Sequence, residues 1–346
     1  MIAKVSVLGH FGRGETLLNG QTVKTKIITE ELQRRLGRKQ VLKIDTRGGW
    51  KTFLKAPFQS FYALKSGRNI LIFPAQNGLR VYVPLLSFFR LFFKNRRLHY
   101  VVIGGWLPEF LKKRKKLTKA LMSFDGIYVE TNTMRKALEA QGFNDVYVMP
   151  NFKDLNILKE SELVYHHTEP YRLCTFSRVM KEKGIEDAVN AVKTVNEHFG
   201  RIVYTLDIYG QVDSAQTEWF NELKSTFPLY IKYGEFVPFD KSVEVLKNYF
   251  ALLFPTYYEG EGFAGTLLDA MAAGVPVIAS DWRYNPEIVN EKTGYVYPVH
   301  DNHAFVTTLI SVGNNSDLLL SKKSDCLKEA EKYRAENVIQ CLTSKL

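Results

Sequence analysis

The sequence predicts an α/β protein built as two Rossmann-like, doubly wound units in tandem that face each other across a cleft. Three observations predict it. The 346 residues suit about two domains of ordinary size. Short apolar runs alternate with helical patterns across 4–149, and again across 171–279. An irregular stretch at 151–170 separates the two alternations. Strand–helix alternation of this kind makes a parallel sheet with helices on both faces.

Buried strands of the first unit are expected at 4–8, 41–45, 69–73, 100–103, 126–130 and 145–149, and helices at 22–36, 79–93, 107–121 and 133–141. In the second unit, strands are expected at 171–177, 203–209, 231–233, 251–254 and 275–279. Its helices are expected at 184–198, 215–226, 241–248 and 266–273. The tail, 315–346, reads as helical with no strand left to serve. The expected division is a first domain at 1–152 that binds the acceptor substrate, a linker at 153–170 and a second domain at 171–325. A final helix, 326–346, is expected to pack back across the two domains; a plain terminal helix is the alternative. Ligands of such sheets bind beyond the carboxyl ends of the strands, and a cleft between two of them is the usual substrate site.

Apolar residues make up 45% of the chain and charged residues 24%, which suits ordinary globular cores. No long Pro-, Ser- or Gln-rich tract points to disorder. The cysteines are Cys174, Cys326 and Cys341, an odd number without metal-site spacing, which fits a reducing compartment and no bound metal. The first residues turn polar too quickly for a signal peptide and read as a buried strand entering a Gly-containing loop. The expected place is therefore the cytoplasm.

The net charge is +11, and residues 90–119 hold ten Lys or Arg against the single acid Glu109. An apolar run at 82–93 adjoins them, interrupted by Arg90 and shorter than the roughly 20 residues needed to span a bilayer. Region 82–119 is therefore expected to touch an anionic membrane peripherally, at its inner face. A buried helix followed by a solvated basic one is the alternative. Nucleic acid is not expected as a partner, because no aromatics interleave with the basic run.

The most informative segment is 255–280. A buried strand ends at Phe254; a loop containing Gly260, Gly262 and Gly265 follows, then a helix opening near Thr266, then another strand. Glycines let a backbone approach a ligand closely, and a helix start offers unpaired N–H groups to an anion. Asp269 lies one turn into that helix, where its carboxylate can accept hydrogen bonds from sugar hydroxyls, and Glu261 lies on the loop before it. A structural turn, with Asp269 as a dipole partner, is the plain alternative.

The run Glu261-Gly262-Phe263-Ala264, four further residues, then Asp269-Ala270-Met271-Ala272-Ala273-Gly274-Val275-Pro276-Val277-Ile278 resembles the retaining glycosyltransferases of family 4, which have the GT-B fold. Glu259 does not fit the motif, because the residue eight positions on is Leu267. The resemblance implies that Glu261 contacts donor-sugar hydroxyls and that Asp269 holds the ribose. It also implies that Phe263, Ala264, Gly265 and Thr266 face the sugar and phosphate. Two departures stand out: Asp269 is one methylene shorter than the family's Glu, and Ala264 replaces Gly.

Arg178 and Lys183 lie in a second segment, 176–185, that resembles the family's Arg-(x)4-Lys-Gly signature. Fixed cations there would stabilise the charge gained by a leaving nucleoside diphosphate without a metal. Segment 8–24 looks like the family's first loop, with Gly20 and Gln21 near the diphosphate or acceptor. At 104–106 the chain has Gly104-Gly105-Trp106 where many members place a His near the donor sugar. Backbone at Gly104 and Gly105 replacing that contact, Trp106 packing on the acceptor sugar, and a tight turn with a buried Trp remain open. Base contacts are expected from the backbone of Phe236 or Val237.

The implied protein is a retaining, metal-independent hexosyltransferase. Its donor is a nucleotide-sugar, a UDP-sugar by family habit. Its acceptor is a glycan, lipid-linked, in surface-polysaccharide synthesis, and no cofactor is expected. A nucleotide-sugar epimerase on the same fold is the main alternative, but it needs extra acids and a His that the sequence does not cluster. A basic nucleic-acid binder and a catalytically dead scaffold are more remote.

Overall fold

A computed structural model describes residues 2–12, 20–47 and 50–346. Of the expected first-loop segment 8–24, residues 13–19 lie outside the described residues. The chain divides into two compact units, residues 1–154 with 333–346, and residues 155–332. Residues 155–170 thus group with the second unit, and the last fourteen, 333–346, group with the first.

The first unit runs β1 (Ala3–Gly9), α1 (Gly20–Leu36), β2 (Val41–Asp45), α2 (Trp50–Ser66), β3 (Gly67–Ile72), α3 (Gln76–Arg90) and β4 (Arg97–Val101). It continues with α4 (Leu107–Lys112), α5 (Lys115–Leu121), β5 (Gly126–Val129), α6 (Asn132–Glu139) and β6 (Val146–Val148). Its sheet is parallel, in the order β2-β1-β3-β4-β5-β6. Strands β3 and β5 are near-continuous runs of buried residues, as a sheet covered on both faces requires. Thr131 caps α6, its hydroxyl accepting from the Met134 N–H at 3.2 Å.

The second unit runs β7 (Tyr171–Phe176), α7 (Ile185–Phe199), β8 (Tyr204–Tyr209), α8 (Thr217–Ser225), β9 (Ile231–Tyr233), α9 (Ser242–Leu246) and β10 (Ala251–Phe254). It continues with α10 (Gly265–Ala272), β11 (Val277–Ser280), α11 (Asn285–Ile288), β12 (Gly294–Tyr297), α12 (Asn302–Asn314), α13 (Asp317–Leu320) and α14 (Lys323–Glu331). This sheet is also parallel, in the order β12-β11-β10-β7-β8-β9. Helix α7 buries Ile185, Ala188, Val189, Val192 and Val195, the i, i+3, i+4, i+7 spacing of one helical face. The expected α/β class with two Rossmann-like sheets is what the chain adopts.

Short helices α15 (Ala335–Val338) and α16 (Gln340–Thr343) return to the first unit. There Val338, Ile339 and Leu342 join the core of Val5, Val7, Ile28 and Leu32.

Several expected elements differ. Helix 107–121 is broken into α4 and α5 at Lys113 and Arg114, which leave helical geometry. Five successive cations at 112–116 would repel one another along one helix. The Arg114 guanidinium folds back to donate to the Phe110 carbonyl at 2.7 Å and stacks 3.8 Å above the Phe110 ring, which closes α4. The last strand expected in the second unit starts at Val277 instead of Val275, because Pro276 has no N–H for the ladder. Helices α2 and α12 and strand β12 had no counterpart among the expected elements.

Candidate active site at the switch point of the second sheet

In the second sheet β7 and β10 are neighbours, but the chain leaves them in opposite directions, to β8 and β9 on one side and to β11 and β12 on the other. That divergence opens the crevice in which doubly wound sheets bind ligands. The loop after β7 carries Arg178 and Lys183, and the loop after β10 carries Glu261.

Local chemistry holds the two loops together. Gly184 sits at φ 68°, and a Cβ there would lie 2.1 Å from the Pro255 carbonyl oxygen, so only glycine allows this approach. The Tyr257 N–H donates to the Glu182 carbonyl at 2.8 Å, which ties one loop to the other. Behind the second loop, Ser280 Oγ donates to the Thr256 carbonyl at 2.6 Å and Trp282 Nε1 donates to the Tyr258 carbonyl at 2.7 Å.

Lys183 and Glu261 meet in this brace. Lys183 Nζ lies 2.5 Å from Glu261 Oε2, and their side chains are only 12% and 8% exposed. Thr256 Oγ1 donates to the same carboxylate oxygen at 2.8 Å. The ammonium also lies 5.1 Å from the Tyr258 ring centre and 5.7 Å from that of Phe254. The Lys183 ammonium has three N–H donors, so pairing with Glu261 leaves others for an anion.

Arg178 differs. Its side chain is 61% exposed and faces Asp213 at 3.5 Å, a loose surface pair. Its backbone is fixed: Gly210 packs against Ser177, where a Cβ would stand 1.8 Å from the Ser177 carbonyl oxygen. Lys181 lies over the Trp219 ring at 5.7 Å, away from Glu261's partners.

Helix α10 begins directly after the Glu261 loop. Ala264 stands at its N-cap and contributes no side-chain bond, and the Leu267 N–H donates to the Ala264 carbonyl at 3.1 Å. Thr266 Oγ1 is buried at this helix start without a hydrogen-bond partner among the described residues. Phe263 and Asp269 are buried, at 5% and 4% exposure. Phe236, after β9, is exposed, and Val237 is half-buried.

The remaining expected residues belong to the first unit. Its own switch point lies between β1 and β3. Gly20 opens α1 there, and Gln21 Nε2 bridges the gap, donating to the Phe73 carbonyl at 2.9 Å. Gly104 takes a positive φ of 84° just beyond β4. Trp106 Nε1 donates to the Ile103 carbonyl at 2.9 Å, and its ring meets Phe110 edge-on at 5.1 Å.

Two features escaped the sequence. Thr256 carries no motif signal of its own, although it stands five positions before Glu261 in the loop whose spacing was read. Lys24 and Glu130 form an ion pair at 2.8 Å, 4% and 3% exposed, where α1 meets the end of β5. They lie 106 positions apart, so no local pattern could have joined them.

Residues 170–315 match the family model described as glycosyl transferases group 1. The chain is 28% identical over 209 residues to the UDP-N-acetylglucosamine–peptide N-acetylglucosaminyltransferase GtfA subunit of Streptococcus gordonii, a match covering 54% of this chain and 38% of that protein. It is 26% identical over 147 residues to the amylovoran biosynthesis glycosyltransferase AmsK of Erwinia amylovora, covering 41% of this chain and 36% of the relative. The chain thus spans well under half the length of these curated relatives. Among solved structures, Anabaena HepE in complex with UDP superposes with a TM-score of 0.72 at 12% identity, over 99% of this chain and 98% of that one. The chain therefore carries the GT-B fold, and residues 170–315 within it match the glycosyl transferases group 1 model.

Proposed function

We propose that the chain is a retaining, metal-independent glycosyltransferase that moves a hexose from a UDP-sugar to a lipid-linked glycan in surface-polysaccharide synthesis. The observation that carries this reading is the Lys183–Glu261 pair, buried at the switch point beside the start of α10. A buried ion pair stabilises a fold no better than a well-packed apolar pair of similar volume, so structural need alone does not account for it. A cation for a diphosphate beside an acid for sugar hydroxyls does account for it.

In this reading the diphosphate sits against the first-turn N–H groups of α10, near Gly265 and Thr266, with Lys183 and Arg178 as its cations. Glu261 orients the sugar, Phe263 and Ala264 present backbone to it, and Asp269 anchors the ribose. Phe236 and Val237 border the base. As the bond between the anomeric carbon and the phosphate oxygen breaks, the leaving diphosphate gains charge, and the fixed cations stabilise it. The acceptor hydroxyl attacks from the same face and passes its proton to the departing phosphate oxygen, so configuration is retained. Gly20 and Gln21 serve the donor diphosphate or the acceptor, and Gly104, Gly105 and Trp106 serve the acceptor side. The UDP in the HepE complex and the UDP-N-acetylglucosamine in the GtfA name support a UDP donor. The amylovoran role in the AmsK name supports a polysaccharide acceptor. A lipid-linked acceptor brings region 82–119 to the inner face of the cytoplasmic membrane.

The test is a screen of nucleotide-sugars for release of the nucleoside diphosphate, with products identified by mass spectrometry and NMR. Arg178→Ala should lose about 100-fold or more in turnover, while its exposed side chain leaves the melting temperature unchanged. Full turnover in that variant, return of an isomerised nucleotide-sugar, or loss of activity on chelation with recovery by Mn2+ would each refute the reading.

A further inference from the structure

Large apolar side chains are unevenly exposed on the first unit. Helix α2 turns Leu54, Phe58, Phe61 and Tyr62 outward at 44–78% exposure. Their i, i+4, i+7, i+8 spacing puts them on one face. The opposite face, through Ala56, Ser60, Ala63 and Leu64, is buried. Phe61 packs edge-on against Phe89 and Phe93, at 5.8 and 5.5 Å, so the α2 face continues onto α3. On α3 the outward stripe is Arg80, Pro84 and Phe88, followed by Leu91 and Phe92. A continuous exposed apolar ridge of this kind marks a binding surface.

The same α3 stripe runs into a groove. Arg80 and Pro84 form one wall of an open cavity of about 790 Å³, and Leu117 and Ala120 line it from α5. The rest of the lining is the cationic run 112–116. Lys112 holds Glu109 at 2.5 Å, and Arg114 is turned in upon Phe110. Lys113, Lys115 and Lys116 make no ion pair among the described residues and are exposed. Serine and arginine ties hold the geometry: Ser87 Oγ donates to the Ala120 carbonyl at 3.3 Å, and Arg90 donates to the Ser123 carbonyl at 2.6 Å.

We propose that this ridge and groove form one docking surface for an anionic phospholipid bilayer. The lipid phosphates sit among Lys113, Lys115 and Lys116, and the aromatic side chains of α2 and α3 enter the boundary between headgroups and acyl chains. Charge complementarity selects this occupant: three unpaired lysines border a ridge of phenylalanine and leucine, the pairing of interfacial anchors with basic headgroup contacts. No described helix is long and apolar enough to cross a membrane, so attachment here is to the surface. The proposal rests on the reading that region 82–119 meets a membrane. It goes further by adding α2, which lies outside that region, and by giving the two parts separate jobs.

The test is flotation of the full chain with vesicles of phosphatidylcholine alone and of phosphatidylcholine with phosphatidylglycerol. Wild type should bind only the anionic vesicles, and less as salt rises. Removing Lys113, Lys115 and Lys116 together (each to Ala) should weaken binding roughly 100-fold, a factor of about five for each cation near an anionic surface. Phe58→Ala with Tyr62→Ala should weaken it by about 10-fold or more while leaving its salt dependence intact, as expected for lost apolar burial. Melting temperature and UDP release in solution should match wild type in both variants, because every altered side chain is exposed and distant in sequence from the donor motifs. Wild type that floats with neither vesicle overturns both this proposal and the reading of region 82–119. A ridge that instead closes a dimer, seen by sedimentation without lipid, does the same. Wild type that binds anionic vesicles while the Phe58/Tyr62 variant binds equally well overturns the α2 assignment and leaves the earlier reading standing.

Discussion

Separating the structural from the functional share of the Lys183–Glu261 pair tests the proposed donor site most directly. Lys183→Met removes the ammonium but keeps a chain of similar length; Glu261→Gln removes the charge but keeps the amide's hydrogen-bonding reach. Both side chains are nearly enclosed, at 12% and 8% exposure. Each single change therefore strands a buried charge, and breaking such a pair costs about 3–5 kcal/mol. Lys183 also loses its position over the Tyr258 ring. In a unit of this size roughly 2–4 °C is lost per kcal/mol, so each single variant should melt about 6–20 °C lower. The double variant leaves no unpaired charge and should be more stable than the summed singles by roughly 2 kcal/mol or more, within the usual range for contacting residues. Activity should not follow stability: the double variant regains melting temperature but not UDP release, because neither the proposed phosphate cation nor the proposed sugar acid has returned. Calorimetry and a nucleotide-release assay read the two separately. Additive stabilities would refute the buried-pair reasoning. A double variant with near-normal turnover would refute the catalytic assignment while leaving the pair as a structural feature.

Two further outcomes follow from single residues. Asp269→Asn keeps the shape of this buried side chain but weakens the hydrogen bonds proposed to ribose hydroxyls; the donor KM should rise roughly 10- to 100-fold with kcat nearly unchanged, as for uniform binding through a charged acceptor, and an unchanged KM would remove the ribose role. In the first unit, burial is the main force holding the His99 imidazole down to about 4, against an opposing pull from Asp125. The unfolded chain takes up a proton near 6.5 while the folded one stays neutral, so this stability is complete above about pH 6.5 and is lost as pH falls towards 4, to a total on the order of 3 kcal/mol. Denaturant unfolding of wild type and His99→Gln across that window should diverge in slope; parallel profiles would show that His99 titrates normally.

Much of the fold could be read from periodicity, and the failures have physical causes. Strands β2, β9 and β10 are found at the expected bounds, since an apolar run between polar turns leaves few alternatives. Helix α2 was missed although it is 17 residues long. It contains Pro57 and shows apolar residues on both its buried and its outward face, so it lacks the polar side that marks an ordinary surface helix. The feature that hid α2 is the one that proposes it as a membrane contact. The single helix expected at 107–121 failed for the opposite reason. Its apolar spacing was adequate, but the charge density at 112–116 and the side-chain closure by Arg114 decided the break.

At the candidate site, local spacing singled out the residues, but not what each one touches. Glu261, Phe263 and Asp269 occupy a loop and helix start that a nine-residue window describes, and Arg178 and Lys183 occupy another. Nothing in either window says that Lys183 reaches Glu261, 78 positions away. That meeting depends on β7 and β10 being sheet neighbours and on Gly184 allowing Pro255 to come close. Gly184 would read as the start of α7, yet its missing side chain is what lets the two loops touch. Substitution there should therefore separate the pair without altering either charge. The glycine of the Arg-(x)4-Lys-Gly spacing thus belongs to the site as fully as the two cations do: it sets the distance at which one of them meets the acid.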